Sequence, residues 1–185
     1  MELKSKRVFF ALVPNKVTTY ALIDTINQIQ NTSSYSALNW VKYENLHLTL
    51  GFIGHVDPTT INCLIKNAKA IKFNPFKFEL NTTGIFKKPK ALWLGINKVD
   101  TNRFDTDKIS HPLQQLAQQI SHVANACQET LQLDTFTPHV TIARKFNDDF
   151  QPNNFSPIIW EAEYFCLMES VSTAEGVRYK IVHRF

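Results

Sequence analysis

His47-Leu48-Thr49-Leu50 and His139-Val140-Thr141-Ile142 are two copies of one pattern, His-apolar-Thr-apolar. Each copy sits in a strand-like stretch, Asn45 to Ile53 closed by Gly54 and Thr137 to Arg144. Side chains alternate along a strand, so His47 and Thr49 share one face while Leu46, Leu48 and Leu50 take the other. The same parity sets His139 and Thr141 against Val140 and Ile142. Each strand thus holds an imidazole and a hydroxyl on one face, with aliphatic residues anchoring the other. The elements around the two copies follow a similar order, which predicts two lobes, each giving one copy to a shared cleft.

Working outward, Arg7 to Val13 is β-branched and aromatic, then broken by Pro14, and reads as a buried strand. Val17 to Gln30 carries Leu22, Ile26 and Ile29 at helical spacing. Asn31 to Ser34 is a polar loop. Asp57-Pro58 is a helix start, a capping carboxylate before a proline, followed by the stripe Ile61, Leu64, Ile65, Ala68 and Ile71. Phe76 to Phe86 and Ala91 to Ile96 read as two strands. The basic turn between them, Lys87-Lys88-Pro89-Lys90, reads as a solvated hairpin. A helix is predicted over about Ser110 to Leu131, with Pro112 in its first turn. Ile158 to Glu169 and Arg178 to Phe185 are the last strands. The mixture predicts an α+β domain spanning 1–185: bilobal, with antiparallel strands, helices outside and a central cleft.

The 185 residues carry a net charge of +4, a bias that suits a polyanionic ligand without forming a dedicated nucleic-acid tract. Cys63, Cys127 and Cys166 are dispersed, with no CxxC, and read as reduced thiols in a cytoplasmic protein. The apolar run Val8 to Val13 is too short for a signal peptide, and no membrane span is visible. The expected molecule is a soluble monomer.

Histidine, with an ordinary pKa of about 6.5, can hold or release a proton near neutrality. Opening a phosphodiester in line needs a base on the attacking water and an acid on the leaving oxygen. Two facing histidines meet that need, and threonine hydroxyls can hydrogen-bond the non-bridging oxygens. One histidine on a strand is more often structural; two copies in matching settings favour catalysis. His55, His111, His122 and His183 lack such a setting and read as surface or structural. Two histidines fall short of a zinc ligand set. By strict alternation Arg144 falls on the Val140 face, away from His139, unless the strand twists or bulges. Phe9 or Phe10 could stack a base.

Arg7 to Leu12, the block Trp40 to Gly54, the hairpin Gly84 to Gly95, the block Phe136 to Arg144, and Glu169-Ser170 with Gly176 to Tyr179 together resemble the two-histidine phosphoesterase superfamily. Within it, the chain is similar to the RNA 2′,3′-cyclic phosphodiesterase (LigT-like) family. The resemblance implies hydrolysis of a 2′,3′-cyclic phosphate, on an RNA end or a nucleotide, to a 2′-phosphomonoester without metal or cofactor. It implies His47 as proton donor to the departing 3′ oxygen and His139 as proton acceptor for water. Arg144 matches a position that can assist phosphate binding. Segments 98–108 and 147–154 match no family motif, which leaves substrate preference open. Two rivals stand beside hydrolysis: joining of RNA ends by the reverse chemistry, and a non-catalytic RNA-end-binding module.

Overall fold

The computed structural model describes residues 5–31, 38–97, 112–127, 129, 136–145 and 155–185. Strand β1 (Lys6–Leu12) is buried on both faces from Val8 onward. Val8, Phe10 and Leu12 enter the main core, while Phe9 and Ala11 join Cys166 and Met168 opposite. The strand can therefore only be central. Helix α1 (Lys16–Asn31) starts where the Asn15 side chain accepts the Thr18 N–H at 2.9 Å, and it buries Leu22, Ile26 and Ile29.

A short strand β2 (Asn39–Trp40) and a 3-10 turn (Tyr43–Asn45) lead into β3 (Leu48–Val56). This strand begins later than expected and runs on through Gly54, whose φ of 102° only glycine adopts readily. Asp57 caps α2 (Pro58–Ala68) by accepting the Thr60 N–H at 2.7 Å. The expected strand at Phe76 to Phe86 is two: β4 (Phe76–Leu80) and β5 (Thr82–Phe86), divided at Asn81. Strand β6 (Ala91–Gly95) closes the hairpin with β5.

Helix α3 (Pro112–Ala126) opens on its proline; the rest of the expected helix, at 110–111 and in 128–131, lies largely outside the described residues. Next come β7 (His139–Arg144) and β8 (Ile158–Ala162), then β9 (Cys166–Thr173) and β10 (Gly176–Arg184). The stretch read as one strand from Ile158 to Glu169 is thus also divided. Segments 98–108 and 147–154, and most of the loop at 31–34, fall outside the described residues.

The main sheet has the order β10-β9-β1-β3-β7-β6-β5, with β2 beside β7, while β4 and β8 form a separate pair. Among the described residues, every pairing of the motif strands is antiparallel. The motif strands β3 and β7 are neighbours through Leu48 and Val140, each the residue between its histidine and its threonine. The main core lies on the opposite face from the histidines, where Leu46, Leu48, Leu50, Val140 and Ile142 pack with residues from all three helices.

The reading of the cysteines as dispersed thiols is overturned for two of them. Cys63 of α2 and Cys127, just past α3, form a disulfide with their Cα atoms 5.9 Å apart; Cys166 is free and buried. Their sequence separation of 64 hid the pairing, because only the packing of α2 on α3 brings them together.

Candidate active site

His47 immediately precedes β3, and His139 is the first residue of β7. Both rings are held alike. His47 Nδ1 lies 2.6 Å from the Asn45 carbonyl oxygen, and His139 Nδ1 lies 2.7 Å from that of Thr137. A carbonyl can only accept, so each Nδ1 carries its hydrogen and each Nε2 is left to exchange a proton. Aromatic rings fix the other side. His47 sits 5.0 Å from Phe9 and 4.7 Å from Tyr179, and His139 sits 4.7 Å from Phe86 and 6.2 Å from Trp93.

His47, Thr49, His139, Thr141 and Arg144 line one cleft of about 770 Å³. That volume falls within the usual range for small-molecule sites. Strict alternation had turned Arg144 away, and the sheet register explains its presence. Leu92 of β6 pairs with Ala143, but the next residue, Trp93, pairs with Thr141, leaving Ile142 as an extra residue. This β-bulge buries Ile142 and Ala143 in succession and returns Arg144 to the face of His139 and Thr141.

Strand β3 does the same thing. Phe10 of β1 pairs with Gly51 and Ala11 with Thr49, which leaves Leu50 over. The bulge sits at the same distance past each histidine. In consequence Phe52 joins the face of His47 and Thr49 as Arg144 joins that of His139 and Thr141.

Desolvation by burial pushes His47 down from 6.5 to about 4. The Asn45 carbonyl opposes that shift, and the nearby charges of His139 and Arg144 add to it. His139 is lowered as well, again mainly by burial and also by Arg144, against the pull of the Thr137 carbonyl. One cation therefore acts on both imidazoles.

Of the two base-stacking candidates, Phe9 borders the cleft but is only 2 % exposed, because His47, Tyr179 and Phe52 surround it. It walls the His47 ring. Phe10 points into the main core beside Phe165 and Phe185, and this excludes it from stacking a base. Of the remaining histidines, His55 and His122 are exposed, His183 packs on Phe185, and His111 lies outside the described residues.

Asn45 is the residue that sequence reasoning missed. Its buried amide donates to the Val177 carbonyl at 2.8 Å and accepts the Tyr179 N–H at 3.1 Å, while its own carbonyl holds His47. It pins β10, with Tyr179, against the His47 ring. Its place two residues before the histidine was the available signal; its partners on β10 were not visible in the sequence.

Among the described residues, no three His, Cys, Asp or Glu side chains gather where they could hold a metal ion. No described helix is long and apolar enough to cross a membrane.

The family model described as LigT like Phosphoesterase matches residues 15–93, the part containing the first motif and most of the β5–β6 hairpin. A protein of Thermotoga maritima named "RNA 2',3'-cyclic phosphodiesterase" is 27 % identical over 188 residues, covering 96 % of this chain and 93 % of the relative. A protein of Aquifex aeolicus with the same name is 27 % identical over 161 residues, covering 79 % and 80 %. The crystal structure of E. coli LigT in apo form superposes with a TM-score of 0.80 at 23 % identity, covering 98 % of this chain and 97 % of that one. With both His-x-Thr motifs bordering one cleft in that fold, the chain resembles the LigT-like phosphoesterases.

Proposed function

We propose that the chain is a phosphodiesterase that opens 2′,3′-cyclic phosphates on RNA ends or nucleotides, leaving a 2′-phosphomonoester and a free 3′ hydroxyl. The reading is supported by the names of its relatives and by one geometric observation: two imidazoles, each with Nδ1 tied to a carbonyl, border the same cleft as two threonines and an arginine.

In this mechanism water attacks phosphorus in line with the 3′ oxygen. His139 Nε2 takes a proton from the water as the new P–O bond forms. The bond from phosphorus to the 3′ oxygen breaks, and His47 delivers its Nε2 proton to that oxygen. Thr49, Thr141 and Arg144 hydrogen-bond the non-bridging oxygens, where charge accumulates. Exchange with solvent then returns the proton from His139 and reprotonates His47. Each proton-transfer group contributes on the order of 10²–10⁴ in rate.

The test is phosphorus NMR of cyclic nucleotides incubated with the purified protein in EDTA. The expected product is the 2′-phosphate, with turnover falling at least ~100-fold in His47→Ala and in His139→Ala. A 3′-phosphate product, or full activity without either histidine, overturns the assignment.

A further inference from the structure

Phe52 occupies in β3 the place that Arg144 occupies in β7, since each bulge turns the third residue past the motif threonine toward the cleft. Because β3 and β7 run antiparallel through Leu48 and Val140, positions 52 and 144 lie on opposite sides of that pair. Equivalent geometry has therefore been given different chemistry. Arg144 brings charge to the phosphate; Phe52 brings a ring.

That ring is unusual for an aromatic on a strand interior. It is 47 % exposed, whereas Phe9 behind it is 2 % exposed. The Arg7 guanidinium lies over it, 4.7 Å from the ring centroid, and both residues line the cleft. Among the described residues, the ion pairs within 4 Å are Lys6–Glu169, Lys77–Glu161 and Arg178–Glu175, so no described carboxylate pairs with Arg7. An exposed ring with an uncommitted cation layered on it is the pattern by which proteins hold single-stranded nucleic acid. The flat surfaces stack a base regardless of its identity, and the charge meets the linking phosphate.

We infer that Phe52 and Arg7 form a subsite for the nucleotide that precedes the cyclic end, so that the preferred substrate is an RNA strand rather than a cyclic mononucleotide. This rests on the hydrolytic reading above and deepens it. The cyclic phosphate would lie between the histidines with Arg144, leaving the Phe52 side of the cleft for the rest of the strand. Stacking there involves any base, so the subsite selects for chain length and not for sequence.

The experiment compares kcat/KM on adenosine 2′,3′-cyclic phosphate with that on a trinucleotide ending in the same cyclic adenosine. The wild type should favour the trinucleotide. Phe52→Leu should reduce kcat/KM on the trinucleotide roughly tenfold more than on the mononucleotide, through KM, and Phe52→Tyr should restore the preference. Arg7→Gln should weaken the trinucleotide selectively and flatten its salt dependence. Equal losses on both substrates, or none, overturn the subsite. If the wild type turned over neither substrate, the hydrolytic reading would fail instead. Fluorescence anisotropy with a 3′-phosphorylated trinucleotide against adenosine monophosphate would then decide the subsite alone. Tighter, Phe52-dependent binding of the trinucleotide supports it, and indifference to Phe52 overturns it.

Discussion

Both imidazoles are held below their ordinary pKa, His47 to about 4, so at neutral pH both rings are uncharged before substrate binds. The proposed chemistry needs His47 protonated and His139 neutral. In the free protein the protonated fraction of His47 falls about tenfold for each pH unit above its pKa, so kcat/KM should decline as pH rises through neutrality. A bound phosphate anion favours the cationic form and raises both values. The profile of kcat should therefore be displaced to higher pH than that of kcat/KM, and parallel rate measurements from pH 4 to 9 check this. Coincident profiles would mean that substrate charge does not reach the rings. At this scale the sequence was informative for His47, Thr49, His139 and Thr141, because repetition singled them out. It was silent on Asn45 and Tyr179, whose importance comes from a contact between residues remote in the chain.

At the scale of elements, period-two alternation succeeded for all four residues of each motif and failed beyond them. The failure has one cause, an extra residue at Leu50 and at Ile142, and nothing in either residue type announces a bulge. The consequence for Arg144 is testable. Arg144→Gln removes a cation that lowers both imidazoles and that faces the substrate. The variant should raise KM roughly tenfold, as expected for loss of a charge-assisted hydrogen bond, and should move the acid limb of kcat/KM upward. Steady-state kinetics across pH separates the two effects. The undivided strands expected at Phe76–Phe86 and Ile158–Glu169 failed for a related reason. Each apolar run serves two strands in different sheets or pairings, and composition does not mark the corner at Asn81 or at 163–165.

For the molecule as a whole, the two-lobed α+β arrangement was legible because each half repeats the same signals. The disulfide was not, since a spacing of 64 residues carries no pairing information. Closing a loop of that length stabilises by roughly 4 kcal/mol in the chain-entropy account. Cys63→Ser should therefore lower Tm by on the order of 10 °C in scanning calorimetry under non-reducing conditions, with a similar loss on adding reductant to the wild type. Activity well below Tm should persist, because neither cysteine borders the cleft. The matched bulges have a last consequence. A cavity with true twofold symmetry would accept a five-membered cyclic ester in either of two orientations and would sever either oxygen. On the proposed reading, arginine at 144 against phenylalanine at 52 breaks that symmetry, so two side chains that take no part in moving protons contribute to the regiochemistry of the product.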